Sequence, residues 1–310
     1  MISRYILLFY NMFTNNLRYL KCLKSGLYYK ITDLMSNKSN NPINIVLKNN
    51  HNYSNTNKCL NIMTYNIDGL FVHFNKNNYL NISNFIKDQF LNNNIDVIAL
   101  QEVWLSYISN LIIDELNDLD LYISIPPTTK KYYLGEHSGL MIISKYPILT
   151  NNFIEYNNCN FTCKLSKKGL QHITIEYNKK IINIINTHLQ SSFKNFHNLQ
   201  YQSTAEKQLN IIRDYCIKKK LNEYIIIGDL NINMEYMERY LSKNKNISIK
   251  YNQEYKNICT FPSTNEMLDY CLFSNIFHKN IIEYKLYDNI NYSDHLPLLI
   301  KILDLPEIND

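Results

Sequence analysis

Residues suited to metal binding and proton transfer stand at the ends of several apolar runs in this chain. Near the C-terminus, Asp294 and His295 directly precede the run "LPLLIKI". Asn, Asp, Glu and His are the residues that bind hard cations or move protons, and one alone could be a turn former, but their recurrence favours a shared site. Earlier runs end in the same way, in Asn66 ("TYN"), Glu102 ("ALQE"), His188 ("INTH"), and Asp229 and Asn231 ("IGDLN").

The apolar runs that carry these residues are short and rich in β-branched side chains, which predicts strands. Helical spacing of apolar residues appears between them, most clearly from Ser83 to Leu91 and from Thr204 to Lys219. Many strands with fewer helices predict an α/β fold of two packed sheets flanked by helices. The strand candidates are "LNIMTYN", "DVIALQE", "GLMIISKYP", "LQHITIEY", "KIINIINTHL", "EYIIIGDLN", "LDYCLF" and "PLLIKI".

The composition is that of a globular protein with a moderate charge. At 310 residues and 45% hydrophobic content, the chain can bury a sizeable core. A net charge of +5 without a dense basic run permits nucleic acid as a partner but does not indicate it. Seven Cys at irregular spacing, with no CxxC pair, argue against a zinc ribbon or a disulfide framework.

Residues 1–58 differ in character from the rest of the chain. From Ser36 to Lys58 the sequence is polar and Asn-rich, which predicts a linker or disordered arm, with the folded domain beginning near Cys59. The opening "MISRYILLFYNMF" holds an apolar run shorter than the roughly 20 residues of a membrane span. We therefore expect a weak targeting or anchor stretch at most, and an intracellular or peripheral membrane location.

A series of motifs resembles, in order, the endonuclease/exonuclease/phosphatase superfamily of metal-dependent phosphoesterases. The resemblance spans about Asn61 to Ile302 and implies a catalytic domain over 59–310. It also implies the DNase I-like four-layer α/β/β/α sandwich of two packed mixed sheets, and hydrolysis of a phosphodiester with Mg²⁺, for which Mn²⁺ could substitute. The motifs are "TYNIDGL", "LQEVW", "SGLMIISKYPI", "NTHLQSS", "IIGDLNIN", "LDYCLF" and "SDHLPL".

The resemblance also implies a metal site. Glu102 matches the Mg²⁺-binding Glu of the family, and a carboxylate is the ligand that Mg²⁺ prefers. Asn66 matches the Asn that supports this metal site, and Asp294 corresponds to a residue beside the metal.

The same resemblance implies the catalytic residues. His295 matches the general base, for which a pKa near neutrality is suited, and Asp269 the carboxylate that orients this ring. Asp229 and Asn231 match the pair that positions the nucleophile and hydrogen-bonds the phosphate. His188 matches a second His that stabilises charge on the phosphoryl oxygens.

Flanking stretches are similar to neutral sphingomyelinases of the bacterial type, namely "THLQSS", "CKLSKKGLQHITI" and "TFPSTNEMLDYCLF". This similarity implies a phospholipid or membrane-surface substrate, with sphingomyelin cleaved to ceramide and phosphocholine. "TYNIDGL" is also close to tyrosyl-DNA phosphodiesterases, so a nucleic-acid phosphodiesterase is the alternative. No obligatory protein partner is evident.

Substrate contacts are predicted in three places. Lys168 of "KKG" is a candidate phosphate ligand, with a surface Lys before a turn at Gly169 as the alternative. Cys163 stands where the sphingomyelinases usually have Asp. The loop aromatics are predicted to insert at a membrane interface, with ordinary loop packing as the alternative; they are Tyr132, Tyr133, Phe193 and Phe196.

Overall fold

The computed structural model shows two mixed β-sheets packed face to face, with helices on their outer sides. The predicted four-layer α/β/β/α architecture is confirmed. Among the described residues, no helix has both the length and the apolar content needed to cross a bilayer. The structure describes residues 27–28, 42–49, 59–127, 138–160, 163–164, 166–192, 199–245, 247–248, 258–274, 277 and 282–303.

The first sheet has seven strands in the order β1-β4-β5-β3-β2-β13-β12. Its central neighbours β2 and β3 are parallel, and every other pair in it is antiparallel. Its strands are β1 (Ile43–Leu47), β2 (Cys59–Asn66), β3 (Val97–Gln101), β4 (Leu121–Ile125), β5 (Met141–Ser144), β12 (Ile282–Leu286) and β13 (Leu298–Leu303).

The second sheet has six strands in the order β10-β11-β9-β8-β7-β6. Here β8 and β9 are the parallel pair, and the remaining pairs are antiparallel. Its strands are β6 (Ile148–Glu155), β7 (Gly169–Tyr177), β8 (Lys180–His188), β9 (Tyr224–Asp229), β10 (Ile247–Ser248) and β11 (Asp269–Ser274).

The core follows from the alternation of side chains along each strand. On β2, Leu60 and Ile62 pack into the core between the two sheets. Met63 and Tyr65 point to the opposite face and pack into a second core, between the first sheet and its helices. Each fully buried apolar side chain contributes roughly 1.5–3 kcal/mol to folding. The helices are α1 (Lys76–Asn92) and α2 (Ser106–Glu115) on the first sheet, and α3 (Leu199–Lys218) and α4 (Met234–Lys243) on the second.

All eight predicted strands are strands in the structure, and the two predicted helices correspond to α1 and α3, although α3 ends at Lys218, one residue before the predicted end at Lys219. The prediction of a linker before Cys59 is wrong for β1, which pairs antiparallel with β4 at the edge of the first sheet. Ile43, Ile45 and Leu47 alternate toward the core and pack partly buried against it. This short alternation was hidden in an Asn-rich segment.

Candidate active site

Strand register brings three of the predicted residues to one edge of the second sheet. His188 lies opposite Asp229 across the parallel pair β8 and β9, and Asp269 lies opposite Asp229 on β11. The close approach of β8 and β9 depends on Gly228, which has φ +138°, and where a Cβ would sit 2.0 Å from the carbonyl oxygen of Thr187. In "GDLN", Gly228 therefore allows the two strands to approach, and the next residue, Asp229, places a carboxylate at the same strand end.

His295 and Asp269 form a buried pair. The Nδ1–H of His295 donates to Asp269 Oδ2 at 2.8 Å, and His295 Nε2 lies 3.6 Å from Asp229 Oδ2. The hydroxyl of Thr260 accepts the Asp269 backbone N–H at 3.1 Å, and the Phe261 ring packs on the imidazole at a centroid distance of 4.8 Å. These contacts leave Nε2 as the imidazole atom available for proton transfer.

The charges around His295 determine its protonation. Burial alone would lower its pKa, but the carboxylates of Asp269, Asp229 and Asp294 outweigh this effect and raise the pKa to about 10. The expectation of a near-neutral pKa is therefore wrong for the protein by itself. The sequence did not show that three carboxylates approach one ring.

Glu102 follows β3 in a left-handed backbone conformation, with φ +61°. Its Oε2 accepts a hydrogen bond from the indole N–H of Trp104 at 3.3 Å, and its Oε1 accepts one from Asn66 Nδ2 at 3.4 Å. Burial, together with the negative charges of Asp68 and Asp294, raises the pKa of Glu102 to about 7. Strained backbone at such a carboxylate is typical of functional sites.

Asn66 links the two sheets at the cleft. Its Nδ2 also donates to Asp229 Oδ2 at 2.9 Å, so one amide touches a carboxylate of each sheet. His188 Nε2 lies 3.5 Å from Asp229 Oδ2 and 3.8 Å from Glu102 Oε1. Burial and the nearby charges of Lys168 and His295 hold the pKa of His188 well below its ordinary value, so this ring is neutral. Burial also raises the pKa of Asp229 to about 6.

Asn231 and Lys168 meet at one carbonyl. The backbone N–H of Asn231 donates to Asp229 Oδ1 at 2.9 Å, and its Nδ2 reaches the Leu189 carbonyl oxygen at 3.5 Å. The Lys168 ammonium donates to the same carbonyl. Lys168 is only 3% exposed, so the alternative of a surface Lys is wrong. The next residue, Gly169, lies close to β6, where a Cβ would lie 2.3 Å from the Ile154 carbonyl oxygen.

The donor chemistry fits a hard divalent cation. Glu102 is a partly buried carboxylate whose pKa rises because of desolvation and because the charges of Asp68 and Asp294 lie nearby, and a cation would relieve that repulsion. Asp294 lies at the exposed rim of the cleft. The preceding residue, Ser293, fixes this segment, because its hydroxyl donates to the Asn66 carbonyl oxygen at 2.7 Å. No group of three His, Cys, Asp or Glu side chains in the described part of the chain forms a chelating cluster. Mg²⁺ commonly takes one or two carboxylates and completes its shell with water.

Sequence reasoning missed several residues that shape the site. Asp68, with φ +48°, pairs with His73 Nδ1 at 2.9 Å on the cleft rim, and its charge acts on Glu102. Asp68 could have been found from the sequence, because it lies two residues after Asn66 in the motif "TYNIDGL". Thr260 and Phe261 open the stretch "TFPSTNEMLDYCLF", but neither ends an apolar run, so their contacts with Asp269 and His295 were not predicted.

The structure describes Cys163 but not the four loop aromatics. Cys163 is a buried free thiol whose Sγ accepts a hydrogen bond from Gln190 Nε2 at 3.2 Å. The loop aromatics lie outside the described residues, and their roles stay predictions; they are Tyr132, Tyr133, Phe193 and Phe196.

Known proteins share both the sequence pattern and the fold. The model of the Endonuclease/Exonuclease/phosphatase family matches residues 63–295. Sphingomyelinase C of Bacillus cereus is 27% identical over 203 residues, which cover 58% of this chain and 59% of that protein. The chain thus spans somewhat more than half the length of this curated relative.

Solved structures with at most 21% identity share the fold. Sphingomyelinase C from Streptomyces griseocarneus superposes with a TM-score of 0.63 at 15% identity, covering 78% of this chain and 99% of that one. Beta toxin from Staphylococcus aureus with bound magnesium ions superposes with a TM-score of 0.59 at 21% identity, covering 78% of this chain and 98% of that one. TDP2 from Caenorhabditis elegans superposes with a TM-score of 0.58 at 18% identity, covering 79% of this chain and 74% of that one. The chain therefore belongs to the endonuclease/exonuclease/phosphatase family and has its DNase I-like fold.

Proposed function

We propose that this chain is a Mg²⁺-dependent phosphodiesterase whose favoured substrate is sphingomyelin, cleaved to ceramide and phosphocholine. The observation that carries the proposal is the convergence of the His295–Asp269 pair and the Glu102 carboxylate on either side of Asp229. An acid–base pair and a cation-binding carboxylate in one cleft match the needs of phosphodiester hydrolysis.

His295 is the proposed general base. Its Nε2 accepts a proton from water as the water oxygen attacks phosphorus and the bond from phosphorus to the leaving oxygen breaks. The imidazolium then gives that proton, through solvent, to the leaving alkoxide, which departs as the hydroxyl of ceramide. Asp269 holds the Nδ1–H and stabilises the imidazolium that forms. Asp229 Oδ2, 3.6 Å from Nε2, is placed to accept the second hydrogen of that water and orient it.

The remaining polar groups stabilise negative charge on the phosphate. Neutral His188 presents an Nε2–H toward the same carboxylates, and Asn231 and Lys168 supply an amide and an ammonium that meet at the Leu189 carbonyl oxygen. Fixed donors in a buried cleft stabilise a developing oxyanion more strongly than water does.

Glu102 would hold the metal, with Asn66 orienting its carboxylate and Asp294 adding negative charge at the rim. When bound, Mg²⁺ would neutralise phosphate charge and lower the pKa of neighbouring groups such as His295. The magnesium ions in the beta toxin structure support the proposal of a bound Mg²⁺ but do not identify its ligands in this chain.

The choice of lipid rests on the sphingomyelinase-like flanking motifs and on the sphingomyelinase C relative. The second candidate is a nucleic-acid phosphodiesterase. Its support is the stretch "TYNIDGL", which is close to tyrosyl-DNA phosphodiesterases.

A substrate comparison tests the proposal. Purified protein with Mg²⁺ is incubated with sphingomyelin vesicles, single-stranded DNA and double-stranded DNA, with His295→Ala protein as the control for contaminating activity. We expect phosphocholine release from the vesicles that the control lacks. DNA cleavage at low salt with intact sphingomyelin would overturn the lipid assignment and favour the second candidate.

A further inference from the structure

Two buried amides connect the sheets directly beneath the candidate active site. Gln101 ends β3 immediately before Glu102, and Asn186 lies two residues before His188 on β8. Gln101 Nε2 donates to Asn186 Oδ1 at 2.9 Å, and Asn186 Nδ2 donates to the Leu100 carbonyl oxygen at 3.0 Å. Both side chains are 0% exposed, so this bridge is fully buried.

The bridge lies among apolar side chains and next to one further buried amide, Gln171, whose Nε2 donates to the Ser124 carbonyl oxygen at 2.9 Å and whose Oε1 lies 3.5 Å from Asn186 Nδ2. Ala99 and Ile184, two residues earlier on the same strands, are members of the hydrophobic core between the sheets. Burying an amide costs free energy unless it is hydrogen-bonded, and Met or Leu would fill a similar volume without that requirement. The network is well satisfied, since the hydroxyl of Thr64 also donates to Gln101 Oε1 at 3.2 Å. Hydrogen bonds fix distance and direction in a way that apolar contacts do not.

The groups of the cleft depend on how far apart the sheets lie. Asn66 ends β2 and Glu102 directly follows β3 in the first sheet, whereas Asp229 and His188 end strands of the second. Their contacts at 2.9 Å (Asn66 to Asp229) and 3.8 Å (Glu102 to His188) therefore measure the sheet separation at the cleft. Glu102 also sits in a left-handed backbone conformation, which flanking contacts such as those of Gln101 must hold.

We propose that Gln101 and Asn186 are positioning residues that set the separation and register of the two sheets at the cleft, and so hold Glu102 opposite His188. The inference rests on the proposed function, because this alignment matters when both groups act on one phosphate. Supporting residues behind a metal ligand typically affect metal affinity or activity by roughly 10- to 100-fold. A displacement of about 1 Å at a reacting centre has effects of similar size.

Near-isosteric substitutions test the bridge. The variants are Asn186→Leu, Gln101→Met and the double variant, and the matched control is Ile184→Ala, which loosens the same interface on the same strand without removing an amide. The measurements are kcat and KM on bis(p-nitrophenyl) phosphate, Mg²⁺ affinity by calorimetry, and Tm. We expect kcat and Mg²⁺ affinity to fall by roughly 10- to 100-fold in both amide variants, with KM little changed.

The double variant should lose no more kcat or Mg²⁺ affinity than the more impaired of the two single variants, because the two amides act as a unit. The control should keep its kcat and Mg²⁺ affinity despite a lower Tm. Folded amide variants with unchanged kcat and Mg²⁺ affinity would overturn the inference, and so would an equal loss in the control.

Calorimetry separates this inference from the proposed function. A wild-type protein that binds Mg²⁺ but hydrolyses no phosphodiester would contradict the proposed function. In that case, a loss of Mg²⁺ affinity confined to the amide variants would still support the positioning role of Gln101 and Asn186. If the single variants do not fold, the exchange Gln101→Asn with Asn186→Gln keeps a cross-sheet amide pair. Restored Mg²⁺ affinity in the exchange supports the inference, and a folded exchange variant without Mg²⁺ binding contradicts it.

Discussion

His295 is the residue on which the proposed chemistry depends most. Replacing it with Ala removes the group that accepts the proton from water, and positioned acid–base groups contribute roughly 10² to 10⁴-fold to rates. We expect His295→Ala to lower kcat by at least 10²-fold. Steady-state kinetics on a soluble phosphodiester measures this loss, and circular dichroism checks the fold.

His73→Ala is the matched control, because His73 is a partly exposed imidazole on the cleft rim. It should stay within a few-fold of the wild type. Retained activity in His295→Ala would move the general base elsewhere, and His188 would be the next candidate because it lies in the same cleft.

The polar residues at strand ends could be read from the sequence because strand termini are local features. Asn66, Glu102, His188 and Asp229 each close an apolar run, and parallel neighbours bring such ends to one edge. The contacts of Thr260 and the high pKa of His295 come from segments that are distant in the sequence. Local patterns do not contain that information, so only the folded structure reveals it.

At the scale of elements, β1 is the strand that local composition concealed. Ile45 faces the core of the first sheet, whereas its neighbour Val46 points away and is 50% exposed. We expect Ile45→Ala to lower the free energy of unfolding by about 1–2 kcal/mol, since Ile45 is only partly buried.

Val46→Ala serves as the control and should change the free energy of unfolding by less than about 0.5 kcal/mol, as is usual for an exposed position. Urea denaturation measures both values. Equal effects of the two substitutions would show that β1 does not pack in the register of Ile43 with Ile125.

At the scale of the whole molecule, a lipid substrate requires docking at a bilayer as well as chemistry in the cleft. Aromatic side chains beside Lys suit a membrane interface. Replacing Tyr132, Tyr133, Phe193 and Phe196 with Ala should lower turnover of sphingomyelin vesicles far more than turnover of a soluble phosphodiester. Equal losses on both substrates would argue against interfacial docking through these residues.

The cation requirement of phosphodiester hydrolysis tests the central claim most directly. Hydrolysis of sphingomyelin is followed with Mg²⁺, with EDTA, and with Mg²⁺ restored after EDTA, for the wild type and for Glu102→Gln. The cleft geometry predicts activity that disappears in EDTA, returns with Mg²⁺, and is strongly reduced in Glu102→Gln, because the partly buried Glu102 carboxylate is the proposed ligand. Full turnover in EDTA, or wild-type turnover in Glu102→Gln, would contradict it.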